Sequence, residues 1–142
     1  MNVSEIQFVH TVTENEYNFL RKSVGWPELP ARQAHQSINN SVYFVAAKHE
    51  NKTIGMTRVV GDGGYIAYFA DVIVLPEYQG LGIGKTMMNM ALQSIKDSMC
   101  EGETVFVNLM AAKGKEPFYR KLGFVDRPNE THGAGMTQYL KK

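Results

Sequence analysis

The run Val72-Ile73-Val74-Leu75-Pro76-Glu77-Tyr78-Gln79-Gly80-Leu81-Gly82-Ile83-Gly84-Lys85 gathers the residues of this chain best suited to hold a charged ligand. An apolar strand-like stretch leads into a glycine-rich turn, and the turn opens a helix. Such a turn aims free backbone N–H groups and the positive end of the helix dipole at one point. Glycine lets an anion approach that backbone without interference from a Cβ. The guest suited to the turn is a phosphate or a diphosphate.

Spacing separates the ligand classes that use such turns. The nucleotide-triphosphate loop G-x-x-x-x-G-K-[ST] finds its end in Gly84-Lys85-Thr86, but its first glycine falls on Gln79. The dinucleotide pattern G-x-G-x-x-G, begun at Gly80, fails at Lys85. A third pattern, [Q/R]-x-x-G-x-[G/A], is met by Gln79, Gly82 and Gly84. Further along, Phe118-Tyr119-Arg120-Lys121-Leu122-Gly123-Phe124 fits F-Y-x-x-L-G-F. With these two segments the chain resembles the GNAT superfamily of N-acetyltransferases, most closely over residues 42–126. Its tail, Arg127-Pro128-Asn129 with Gly133-Ala134-Gly135-Met136, is similar to a bacterial and plastid branch that includes serotonin N-acetyltransferase-like enzymes.

The resemblance implies acetyl-CoA as cosubstrate and transfer of its acetyl group to an amine. Val72, Ile73 and Val74 would bond the pantetheine arm through their backbone, as if it were a further strand. Gln79 and the segment Gly80, Leu81, Gly82, Ile83, Gly84, Lys85 would hold the diphosphate. The amide of Val74, or a neighbour's, would polarise the thioester carbonyl. Tyr119 would be the general acid at the CoA sulfur; a phenol with a pKa of about 10 is protonated at neutral pH and able to donate.

Other assignments stay open at this level. Asp71 stands among apolar neighbours, where an unpartnered carboxylate is costly. Either it serves the amine as base or anchor, or its bonds are structural. Glu28 is a candidate to attract a cationic amine, against the alternative of a solvated loop charge. Trp26, the only tryptophan, lies in the loop Gly25 to Pro30 that in the family covers the acceptor; it forms an aromatic wall there or packs beneath the loop. Strand alternation puts Tyr68 on the face of Val72 and Val74, which makes it a candidate to line the acceptor cleft. At the position seven residues before the tyrosine, many relatives that acetylate protein N-termini carry asparagine, and this chain has Ala112. Lys113 and Lys115 are placed either to meet adenosine phosphates or to be solvated. His10, His35, His49, His132 and Cys100 share no metal-ligand spacing, so no metal is expected.

The elements that must position these groups follow from patterning. A short strand over 5–10 precedes a helix opened by the capping box Thr13/Glu16 and ended by Trp26-Pro27-Glu28-Leu29-Pro30. A second helix is predicted over 31–39. Val42 to Ala47 and Thr53 to Val60 form a hairpin around Glu50-Asn51-Lys52. Tyr65 to Leu75 reads as a central strand, apolar on both faces over Val72 to Val74. The helix after the glycine turn runs to about Met99 and buries Ile83, Met87, Ala91 and Ile95. Thr104 to Met110 reads as a buried strand and Glu116 to Leu122 as a short helix; Phe124-Val125 and Met136 to Leu140 read as final strands. The fold class is α+β: a GNAT-type mixed, mostly antiparallel central sheet of six to seven strands flanked by about four helices, in one domain over 1–142.

Composition narrows the function further. Fifteen basic side chains against fourteen acidic ones, net charge +1, give no general pull toward nucleic acid or anionic membrane. A single cysteine excludes an internal disulfide and suits a reducing compartment. No apolar run approaches the roughly 18 residues of a membrane span, and the N-terminus shows no secretory pattern, so the expected location is cytoplasmic. The expected acceptor is the primary amine of a small molecule: a polyamine, an arylalkylamine or an amino sugar. The rivals are a protein or aminoacyl-tRNA acceptor and a non-catalytic acyl-CoA-binding sensor. Family habit adds a homodimer to the expectations.

Overall fold

The computed structural model describes residues 2–142. The chain forms two compact units, one running to Leu109 and the other Met110–Lys142.

The first unit carries five strands, β1 (Gln7–Val9), β2 (Tyr43–His49), β3 (Lys52–Gly61), β4 (Ile66–Val74) and β5 (Phe106–Leu109), in a sheet of order β1-β2-β3-β4-β5. The first four are antiparallel, and β5 runs parallel to β4 after the crossover helix α3 (Ile83–Ser98). Helices α1 (Glu14–Ser23) and α2 (Ala31–Asn39) lie between β1 and β2. The capping box opens α1: Glu16 N–H donates to Thr13 Oγ1 at 3.1 Å, and Thr13 N–H donates to Glu16 Oε1 at 2.9 Å. Arg21 and Lys22 in its last turn complement the negative end of the helix dipole. The hairpin between β2 and β3 turns through Glu50 and Asn51, both at positive φ.

Side-chain parity places the helices on opposite faces of the sheet. Gly55 has no side chain, and a Cβ there would stand 3.1 Å from Met87 Cε of α3. Arg58, of opposite parity on the same regular stretch of β3, donates to Ser37 O of α2. The core between these layers includes Tyr17, Leu20, Ala34, Ile38, Ala46, Ile54, Met56, Ile73, Ile83 and Met87. Ile95, expected on the buried stripe of α3, is half-buried.

Among the described residues the sheet has five strands, not the six to seven expected. Phe124-Val125 and Met136 to Leu140 are not strands; Val125, Met136, Tyr139 and Leu140 are each more than four-fifths exposed. Alternation marks a segment able to pair, but a strand exists only where a neighbour supplies a ladder and a face to bury. Between these segments the chain closes on itself instead. Asn129 Oδ1 accepts from the amides of Thr131 and His132, and Asn129 N–H donates to His132 O. The expected buried strand at Thr104 to Met110 shortens to β5, which is half-buried because it is the last strand of its sheet. β4 is interior but not central, for the same reason.

The second unit holds the short helix α4 (Glu116–Arg120), ended by Gly123 at φ 94°. Tyr119 packs edge-on against Phe118 and Phe124, and Arg120 forms a two-bonded pair with Asp126. Among the described residues, no helix is long and apolar enough to cross a membrane.

Candidate active site: a split strand, a glycine turn and a buried arginine pair

β4 changes character halfway along. Ile66 to Phe69 pair with Phe106 to Leu109 of β5, and within this unit the pairing stops there. On the β3 side, Arg58 stands opposite Ala70 and Met56 opposite Ile73, so β4 carries one residue more than its partner. The extra residue makes a bulge, and Asp71 sits in it at φ 57°. A left-handed conformation is unusual for a non-glycine residue inside a strand, although aspartate tolerates it better than most. Past the bulge, the backbone edge of Val72 to Val74 that faces away from β3 has no strand of this unit on it.

The bulge also corrects the parity reading of Tyr68. Directly opposed residues share a face, so Tyr68 (opposite Val60), Ala70 and Ile73 lie together, while Val74 lies with Phe69 on the other face. One inserted residue inverts the alternation, so Tyr68 and Val74 do not share a face.

The glycine turn follows. Gly80 and Gly82 both adopt positive φ, 80° and 83°, and an added Cβ at either would meet nothing within 4 Å. Gly82 is the N-cap of α3 and supplies no side-chain cap. Among the described residues, the amides of Ile83, Gly84 and Lys85 have no acceptor outside the helix, whereas Thr86 N–H donates to Gly82 O. Open space, uncapped donors and the helix dipole coincide here. The residues present fit a diphosphate. Gln79 Nε2 donates to Val74 O at 2.9 Å, tying the turn back to the end of β4.

Asp71 is the hub of a side-chain cluster on the α1 face. Its Oδ1 accepts from Arg21 Nη1 at 2.9 Å; its Oδ2 accepts from Arg58 Nε at 2.6 Å and from the hydroxyl of Tyr17. Its side chain is only 7% exposed, and the two arginines are 14% and 15% exposed. Burial first, and then the adjacent Asp71 carboxylate, push the Tyr17 phenol up to about 12. Arg21 reaches further: Nε donates to Pro27 O at 3.0 Å, and the guanidinium lies 5.5 Å from the Trp26 ring centroid. The loop after α1 is therefore fastened to the bulge through one side chain. Asn18 adds a second tie, exchanging two hydrogen bonds with the backbone of Leu29.

The expected site residues thus fall into groups. Asp71, Val72, Ile73, Val74 and the turn Gln79 to Lys85 form a continuous stretch of the first unit, and Trp26 joins them through Arg21. Glu28 is exposed and makes no hydrogen bond or ion pair with the described residues. Tyr119 belongs to the second unit, on α4. Sequence reading missed Arg21, Arg58 and the hydroxyl of Tyr17. The signal was present in Asp71 itself, since a carboxylate in an apolar strand requires cationic partners, but only the register of β3 on β4 names Arg58. Among the described residues, no group of three His, Cys, Asp or Glu side chains is placed to hold a metal ion.

The family model of the acetyltransferase (GNAT) domain matches residues 13–139. An uncharacterized ycf52-like N-acetyltransferase of Prochlorococcus marinus is 35% identical over 124 residues, 84% of this chain and 67% of the relative. The uncharacterized N-acetyltransferase ycf52 of Pyropia yezoensis is 31% identical over 122 residues, 83% of this chain and 68% of the relative. A GNAT-family acetyltransferase structure from Streptococcus pneumoniae superposes with TM-score 0.77 at 28% identity, covering 96% of this chain and 98% of that one. With a family match that spans nearly the whole sequence, this chain belongs to the GNAT acetyltransferase family and is an acyltransferase of the N-acetyltransferase type.

Proposed function

We propose that this enzyme transfers the acetyl group of acetyl-CoA to the primary amine of a small molecule, such as a polyamine, an arylalkylamine or an amino sugar, by direct attack within a ternary complex. The observation that carries the reading is the pairing of a β4 edge at Val72 to Val74 that carries no strand of its own unit, although Gln79 already bonds Val74 O, with an open, uncapped glycine turn at the start of α3. An extended amide-bearing arm suits the first and a diphosphate suits the second. Acetyl-CoA supplies an activated acyl thioester when bound.

The chain's own residues do the rest. The amides of Ile83, Gly84 and Lys85 hold the anionic end. The remaining backbone groups along the strand-free edge of Val72 to Val74 align the arm by hydrogen bonds, and an amide of this stretch faces the carbonyl oxygen as negative charge develops there. Tyr119 donates its phenolic proton toward the departing sulfur. Asp71 shares its lone pairs with Arg21, Arg58 and Tyr17, which suits it to holding the bulge rather than to taking a proton from the amine. Trp26, fastened over Arg21, forms the aromatic wall of the acceptor loop.

The test is release of free thiol from acetyl-CoA across polyamines, arylalkylamines, amino sugars and short peptides. Turnover of one small-amine class supports the reading. Thiol release with peptides alone would move the acceptor to protein. Silence across the panel, with CoA binding intact in a thermal-shift control, would favour a sensor or an aminoacyl-tRNA acceptor.

A further inference from the structure

The cluster around Asp71 is unbalanced. Two guanidiniums share one carboxylate, and the third member, Tyr17, is a neutral phenol. Among the described residues, no other carboxylate lies within 4.0 Å of either guanidinium. Their remaining partners are uncharged: Pro27 O for Arg21, Ser37 O and Ser41 Oγ for Arg58, and the rings of Tyr17 and Trp26 for Arg21. A balanced structural ion pair needs only one arginine. A second charge held at about one-seventh exposure without a counter-ion is destabilising unless something else neutralises it. The chain as a whole carries a net charge of only +1, so this surplus is local.

The surplus also has an opening. Nη2 of Arg21 and Nη2 of Arg58 have no hydrogen-bond partner among the described residues, and neither is among the sealed, unpaired polar atoms. Each guanidinium therefore keeps an edge that can still be reached by a ligand. Arg21 connects this place to the Trp26 loop, and Asp71 is followed directly by the free backbone edge of Val72.

Resting on the acetyltransferase reading above, we propose that Arg21 and Arg58 bind an oxyanion carried by the acceptor, so that the preferred substrate is an amine that also bears a carboxylate or a phosphate. Guanidinium edges suit both groups, because each presents paired oxygens to a planar fork of donors. Asp71 keeps the two arginines in register while leaving one positive charge for the ligand. Arg21 and Arg58 are thus specificity-determining residues, and the neutral amine of the acceptor is what reaches the thioester.

Matched acceptors test this: phenethylamine against phenylalanine, cadaverine against lysine, and glucosamine against glucosamine 6-phosphate. At least one anionic member should exceed its neutral counterpart tenfold or more in kcat/KM, and the pair that does so separates carboxylate from phosphate. Arg21→Lys and Arg58→Lys keep a cation beside Asp71 but lose the fork; each should bring that ratio toward one, mainly by raising KM for the anionic member. A purely structural role would lower both members alike and leave the ratio in place, which would overturn the proposal. Equal or better turnover of the neutral members would also overturn it while leaving the acetyltransferase reading intact. If no member is turned over, titration of the single tryptophan's fluorescence with acetate and inorganic phosphate decides. A saturable change lost in Arg21→Lys supports the site, and no change overturns it. Absence of both thiol release and acetyl-CoA binding would remove the proposal together with the reading it rests on.

Discussion

Tyr17 shows how one side chain links stability to pH. Its hydroxyl donates to Asp71, and burial together with that carboxylate raises its pKa from about 10 to about 12. The folded state therefore favours the neutral phenol. The corresponding stabilisation is complete below pH 10, where the unfolded phenol is also neutral, and is lost as pH rises through 12. A rise of this size is worth about 2–3 kcal/mol at most, and solvent screening around the cluster lowers it. Urea denaturation of the native protein is thus expected to lose stability between pH 10 and 12, with a shallower loss in Tyr17→Phe; identical slopes would show that Tyr17 does not carry the effect. Tyr119 carries a different expectation. Tyr119→Phe removes a proton donor but keeps the ring that packs on Phe118 and Phe124. Its kcat should fall by about a hundredfold or more, within the usual range for general acids, with acetyl-CoA affinity little changed. An unaltered kcat would take Tyr119 out of the mechanism.

At the scale of elements, the decisive features are places where regular structure is interrupted. The bulge at Asp71 coincides with the end of β4–β5 pairing, and the left-handed glycines at 80 and 82 coincide with the uncapped start of α3. Gly82 separates backbone strain from ligand binding. Gly82→Ala meets no clash, so its cost is the left-handed conformation alone, about 1–2 kcal/mol in thermal or urea denaturation. Gly82→Glu fills the open space with a negative group and is expected to abolish CoA binding measured by calorimetry on the folded variant. Undiminished affinity would exclude the turn as the anion site. Gly55 is the opposite kind of glycine: an added Cβ would stand 2.9 Å from Ile73 O, a backbone atom of β4. Gly55→Ala is therefore expected to destabilise by about 1–3 kcal/mol through overpacking, readable as a lowered urea midpoint.

For the whole molecule, the two units differ in what holds them. The first has a sheet with helices on both faces and a continuous core; the second has one short helix and a long irregular tail. Met136, Tyr139 and Leu140 are each at least 85% exposed. Deleting residues 136–142 should then change stability by no more than about 0.5 kcal/mol, as for ordinary surface changes. A loss of several kcal/mol on deletion would show that this segment pairs as the strand its alternation suggests.

Local signals were legible from the residues alone. The Thr13/Glu16 capping box, the bounds of α2, the hairpin at Glu50-Asn51 and the glycine turn opening α3 depend on neighbours within a few positions, and the sequence carries those neighbours explicitly. Two motifs also identified the family before any fold was known. What the sequence could not contain was the register of one strand on another. The bulge that inverts parity at Asp71 exists only because Arg58 stands opposite Ala70 while Met56 stands opposite Ile73. The partnership of Arg21, Arg58 and Tyr17 with one carboxylate joins positions 13 to 54 residues apart from it. Likewise, strand formation at the C-terminal end was decided by the presence of a pairing partner, not by alternation. Periodicity determines which segments are able to fold locally; contacts across the chain decide which of them pair and which charges are left to meet a ligand.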